Sequence, residues 1–157
     1  MRKPLLALML LSPFSFADYK IILIDTSGLP YPLSPSKYSN SPSKYSNSPS
    51  KYSNSESKYS NSPSKYSNSS SKYSNGSSGK NRLLAENNKY VGYYVFTDDD
   101  TINFFNSDGK RIAFNPNLDE TQSLFHSTKS KWCGTFGSFG SERAIGLVAS
   151  CYYRFVE

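Results

Sequence analysis

Six Lys-Tyr pairs recur every seven residues in this chain: Lys37-Tyr38, Lys44-Tyr45, Lys51-Tyr52, Lys58-Tyr59, Lys65-Tyr66 and Lys72-Tyr73. Each sets a cation beside an aromatic face. Six weak contacts of that kind can act together on a polyanion or a charged surface. These twelve residues are the candidate contact residues.

Other chemistry-bearing residues are few. Cys133 and Cys151 are the two cysteines, an even and isolated pair that fits one disulfide in an oxidising compartment. The competing readings are two free buried thiols or half of a metal site. A zinc site lacks support, with one histidine in the chain and no Cys-x-x-Cys. His126 has no nucleophile elbow near it and reads as an ordinary surface histidine in a loop, Leu124-Phe125-His126-Ser127. Asp98-Asp99-Asp100 offers oxygen ligands but lacks the spaced acids and downstream Glu of a calcium loop, so it reads as a solvated turn. The sequence thus names no catalytic residue, no metal ligand and no cofactor.

The Lys-Tyr pairs belong to a seven-residue unit, Ser-Pro-Ser-Lys-Tyr-Ser-Asn, spanning Ser36 to Asn75. Pro35, Pro42, Pro49 and Pro63 keep the proline, while Glu56 and Ser70 replace it. A coiled coil needs two apolar seam positions per heptad, and recurring Pro breaks a helix. The Ser/Pro/Asn/Lys composition, without aliphatic residues, predicts a disordered tract. A stacked solenoid would need apolar residues facing inward in every turn, and one Tyr in seven is thin. As a spacer, 40 residues would span roughly 35 Å when flexible and about 120 Å when fully extended. The tract is either a tolerated linker or a sticky multivalent segment.

The chain opens with Met1-Arg2-Lys3, an apolar run Leu5–Leu11, and small residues at Ser15 and Ala17. This is the pattern of a cleaved signal peptide, too short to span a bilayer. The net charge of +6 resides in this leader and in the tract; nine basic and nine acidic residues between Lys80 and Glu157 cancel. A folded basic face for nucleic acid is therefore not expected. Asn68-Ser69-Ser70 and Asn75-Gly76-Ser77 match the glycosylation acceptor pattern.

The flanks read as β-structure. Tyr19–Asp25 is an apolar strand ended by Gly28 and Pro30, and it should pair with the sheet that follows the tract. Arg82–Ala85, Lys89–Phe96, Thr101–Phe105 and Arg111–Phe114 form short strands, with Ser107-Asp108-Gly109-Lys110 as a hairpin signal. Val91, Tyr93 and Val95 should share one face of the second strand and Tyr90, Tyr94 and Phe96 the other. Leu118–Ser127 reads as a polar connection before a strand at Lys131–Phe136 and a last one from Ala144 to Phe155. If Cys133 faces Cys151 across that last pair, the tip falls at Ser141-Glu142-Arg143, with Thr135 opposite Ala149 and Phe139 opposite Ile145. The expected class is all-β: a small antiparallel meander of five or six strands, with a long disordered low-complexity repeat.

Gly92-Tyr93-Tyr94-Val95, Asn103-Phe104-Phe105-Asn106 and Gly109-Lys110-Arg111-Ile112 resemble a loose group of small exported bacterial proteins. In that group a Ser/Asn/Tyr/Pro heptad tract precedes an Arg-Leu-Leu…Gly-Tyr-Tyr…Asn-Phe-Phe…Gly-Lys-Arg module. The resemblance covers Asp18 to Gly134 and implies export but no activity. The expected organisation is a signal peptide at 1–17, a strand segment at 18–33, a heptad-repeat linker at 34–79 and a β-domain at 80–157. The expected function is a non-enzymatic, envelope-associated binding or structural protein, periplasmic or secreted. Its partners would be anionic envelope polymers or another exported protein, not cytosolic nucleic acid, and no transmembrane segment is expected after cleavage. The alternative is a secreted enzyme or enzyme inhibitor using the β-domain.

Overall fold

A computed structural model describes residues 18–157, so the expected signal peptide lies outside the described residues. The all-β class holds, and the sheet closes on itself. Eight strands form one barrel: β1 (Tyr19–Leu23), β2 (Arg82–Leu84), β3 (Tyr90–Phe96), β4 (Ile102–Asn106), β5 (Arg111–Asn115), β6 (Ser123–His126), β7 (Trp132–Phe139) and β8 (Glu142–Leu147). Neighbours from β2 to β8 pair antiparallel, as a meander does. Closure comes from β1, which lies parallel to both β2 and β8 and leaves no free edge. A bidentate contact from Arg82 to Asp18, its Nε 2.9 Å from Oδ1, holds the start of β1 against β2. That guanidinium keeps the Asp18 carboxyl below the usual carboxylate range.

The barrel interior is filled by Ile21, Leu83, Tyr94, Ile102, Phe104, Leu124, Phe136 and Ile145, all buried. Val91 joins them although Tyr93 was its expected partner. Leu83 pairs with Gly92 but Leu84 with Tyr90, so Val91 is an extra residue that resets the alternation.

Two expected elements differ. Leu124-Phe125-His126 is not loop: Ser123–His126 is β6, buried along its length, and His126 is buried rather than on the surface. The last strand stops at Leu147, and Ala149–Val156 is a helix, α1. Cys151 and Phe155, four residues apart, share the buried face of α1. The helix packs on β1, β3, β4, β5 and β7, across one end of the barrel. Cys133 on β7 and Cys151 on α1 form a disulfide with Cα atoms 5.5 Å apart. The pair is therefore not cross-strand, and the register differs from expectation. Thr135 faces Gly146, Phe139 faces Glu142, and the tip is Gly140-Ser141. Among the described residues no helix is long and apolar enough to cross a membrane.

The heptad tract is the largest departure. It is ordered as six successive 3-10 turns, one in each unit, and it lies against the outer face of the barrel. The expected disorder rested on the lack of apolar residues to bury. Hydrogen bonds do that work instead.

Candidate functional site: a tyrosine–lysine ladder

Each unit is built from local turns. The Lys is extended, with φ between −73° and −67°, and Tyr-Ser-Asn then closes a 3-10 turn. In the unit ending at Asn47, Lys44 N–H donates to Ser41, Asn47 N–H to Lys44, and Ser48 N–H to Tyr45. The first Ser of the unit accepts from the backbone two residues on, as Ser41 Oγ does from Ser43 at 3.1 Å. Pro at the second turn position presets φ for this geometry.

Asn joins one unit to the next. The Asn47 amide donates to the carbonyls of Ser39 and Ser41 at 3.0 and 2.9 Å, eight and six residues back. Asn40, Asn54, Asn61, Asn68 and Asn75 repeat the pair of bonds. All six are buried, at 5% exposure or less. A short stem with two donors on one nitrogen is what this bridge needs; Asp has none and Ser has one. The acceptor patterns at Asn68 and Asn75 are thus enclosed in the folded protein, with their amides engaged.

The coil also bonds to the barrel. Tyr90 and Tyr93 on β3 donate their hydroxyls to the carbonyls of Asn75 and Asn68, at 2.5 and 2.6 Å, and burial raises both phenol pKa values. Asn103 on β4 donates to Asn61 Oδ1 at 2.9 Å, and Thr121, just before β6, donates to Asn40 Oδ1 at 2.7 Å. Tyr93 stacks on Phe105 at 5.2 Å, and both are fully buried on the face that the coil covers.

The two departures from the consensus unit both face the barrel. Glu56 accepts from Ser127 at 2.5 Å, and Ser127 also accepts from Arg111 at 3.3 Å. Arg111 is 2% exposed, lies over the Phe114 ring at 4.8 Å, and donates to Asn103 at 2.7 Å. Burial lowers its pKa to about 10, and the Glu56 charge opposes that shift. A carboxylate in place of proline thus faces the one buried guanidinium among the described residues. Ser70 lies against the β4–β5 turn. A Cβ on Gly109, whose φ is +83°, would sit 3.0 Å from Ser70 Oγ, so the turn residue opposite Ser70 has room only as glycine. Upstream, Tyr31-Pro32-Leu33 is a further copy in frame, with its own 3-10 turn. Leu33 stands where Asn should and cannot donate, so the amide ladder ends there. The Tyr31-to-Tyr38 spacing of seven was the signal for it.

What remains outside is a row of rings. Tyr38, Tyr45, Tyr52, Tyr59, Tyr66 and Tyr73 are 64–80% exposed, and Tyr31 extends the row at 64%. The lysines beside them are half-buried and of two kinds. Lys44 pairs with Glu120 at 3.8 Å and Lys58 with Asp99, and each lies over the tyrosine of the preceding unit, Tyr38 at 5.7 Å and Tyr52 at 6.0 Å. Among the described residues Lys37, Lys51, Lys65 and Lys72 make no ion pair. The structure therefore brings all twelve predicted contact residues onto one ordered surface.

The remaining residues singled out in the sequence are structural. His126 Nδ1 accepts from the backbone of Thr128 and Lys129 at 3.2 and 3.1 Å, which places the proton on Nε2. Burial, then the nearby Arg154, Lys129 and Lys131 charges, lower its pKa. Asp98–Asp100 form the β3–β4 turn, from which Asp99 reaches Lys58. Among the described residues no group of three acids, histidines or cysteines could hold a metal.

Compared with known protein families, curated proteins and solved structures, the chain matches none.

Proposed function

We propose that this is an exported, non-enzymatic binding protein that docks on anionic polymers of the cell envelope through its tyrosine–lysine ladder. The observation that carries the reading is the row of tyrosines, exposed at every seventh residue on a coil held rigid by buried asparagines. A row of large aromatic rings left in solvent is the kind of apolar surface that marks a contact site. Fixing them in advance removes the ordering cost that a flexible tract would bear on binding. The lysines give the surface its sign. The basic, apolar and small-residue order of 1–17 and the resemblance to exported bacterial proteins support export, and so does the Cys133–Cys151 disulfide.

The test is fractionation of cells making the wild type or a triple variant, Tyr45→Ser with Tyr52→Ser and Tyr59→Ser. The wild type should sediment with envelope at low salt and release as salt rises; the variant should stay soluble. A wild type that is soluble at low salt, or a variant that sediments equally, refutes the reading. Deleting the tract is not a usable test, because it would uncover the Tyr93–Phe105 face.

A further inference from the structure

The barrel does not hold its six coil units alike. Asn40, Asn61, Asn68 and Asn75 accept hydrogen bonds from Thr121, Asn103, Tyr93 and Tyr90 in turn. Among the described residues Asn47 and Asn54 have no such bond, so the two middle units depend on other contacts. Those are the ion pairs of Lys44 and Lys58 and the bond between Glu56 and Ser127, on the turn that joins β6 to β7. Pro49, Ser50, Ser55 and Glu56 of the coil line one cleft with Ser127 and Thr128 of that turn.

His126, the single histidine of the chain, shapes the turn. Its Nδ1 is the acceptor for the backbone N–H groups of both Thr128 and Lys129, and its ring is buried. An imidazolium has two donors and no acceptor, so a proton on Nδ1 ends both bonds, and no flip of the ring restores them. Nε2, which already carries a proton, is buried with no partner among the described residues. The charges acting on the ring are mostly cations: Arg154 on α1, and Lys129 and Lys131 beside the turn. Glu56 is the one acid among them, and Ser127 links it to Arg111 on β5. A charged ring therefore cannot stay where the neutral ring sits.

We propose that His126 is a pH-operated catch for the middle of the coil. Protonation frees Thr128 and Lys129, the seat of Glu56 opens, and the units carrying Tyr45 and Tyr52 come away from the barrel. The strands stay paired, because the bonds from His126 N–H to Lys131 and from Ser127 N–H to Ile112 are made by backbone and not by the ring. Burial, with those cations, holds the His126 pKa below its usual value, whereas the opened turn takes the proton at about 6.5. The closed form prevails at neutral pH. Opening gains below about 6.5, by at most about thirtyfold between about pH 7.5 and about pH 5.

Amide hydrogen exchange of the purified protein at those two pH values tests this, read as protection factors so that the intrinsic effect of pH drops out. Protection at Thr128, Lys129, Asn47 and Asn54 should fall together by about tenfold or more in acid, while Asn68, Asn75 and β3 keep theirs. With a single histidine, the ring protons give its titration directly by NMR, and the loss of protection should follow that titration. His126→Asn, whose Oδ1 can accept from both N–H groups without titrating, should keep its protection at both pH values. Glu56→Gln, which still offers Ser127 an acceptor, should retain the pH dependence. Protection at Asn47 and Asn54 that survives charging of the ring overturns the proposal. So does a loss shared equally by β3, a loss that persists in His126→Asn, or one that Glu56→Gln abolishes. Were His126→Asn to lose its fold at neutral pH, the wild-type titration decides alone: protection lost while the ring is still neutral overturns the catch.

Discussion

Replacing Asn61 by alanine removes one rung of the buried ladder and measures what that rung contributes. Its amide donates to Ser53 at 2.9 Å and Ser55 at 3.0 Å, and its oxygen accepts from Asn103 at 2.9 Å. Three hydrogen bonds at about 1 kcal/mol each are lost, and Asn103 is left with a buried donor that costs about another 1 kcal/mol. Asn103 also accepts from Arg111 Nε, so the loss falls beside the buried guanidinium. Asn61→Ala should therefore destabilise the protein by about 4 kcal/mol, and lower the thermal midpoint by roughly 12 °C for a domain of this size. Tyr59→Ala, two residues away and mostly exposed, should change stability by no more than about 0.5 kcal/mol. Urea unfolding followed by near-ultraviolet dichroism reads both. If Asn61→Ala and Tyr59→Ala unfold together with the wild type, the asparagines are not what orders the coil.

Restoring the consensus with Glu56→Pro should destabilise by about 2 kcal/mol, because Ser127 loses its acceptor and Arg111 its nearest opposing charge; urea unfolding checks it. Gly109→Ala should lower the thermal midpoint through both its positive φ and the crowding on Ser70, and Gly109→Ala with Ser70→Gly should recover part of the loss. Cys133→Ser with Cys151→Ser should cost about 3 kcal/mol for a loop of this size, measured against the oxidised protein in urea. Stability should fall as pH drops below about 6.5. The folded protein depresses the His126 pKa, so the unfolded chain binds the proton first and the neutral ring's contribution is lost on acidification. In His126→Asn that part of the pH slope should vanish.

The sequence was legible where order comes from apolar alternation and turn chemistry. β3, β4 and β5 follow from their aromatic alternation and from Ser107-Asp108-Gly109-Lys110, and the pairing of the N-terminal strand with the later sheet is seen in β1 and β8. Barrel closure was not legible, since nothing in Tyr19–Leu23 marks a strand that pairs parallel on both sides. β6 was missed because its four residues are buried on both faces, which erases alternation, and because polar segments flank it. α1 was missed because Tyr152-Tyr153 and Phe155-Val156 look like strand, while the i, i+4 spacing of Cys151 and Phe155 points to helix. The candidate contact residues were legible, but their arrangement was not. Judging order by apolar content overlooks a side chain whose two donors bridge backbone carbonyls, and the invariant Asn of the repeat was that signal. Glu56 replaces the proline of its unit for a reason the repeat itself does not carry, since it answers Ser127, more than 30 positions away.

Backbone amide hydrogen exchange across Lys37–Gly76 tests the central claim most directly, that the repeat is a folded coil on the barrel. The amides of Asn40, Asn47, Asn54, Asn61, Asn68 and Asn75 each donate to a carbonyl within the coil and should exchange as slowly as those of β3 and β4. Exchange at the rate of a free chain throughout the tract, with the strands still protected, would contradict it.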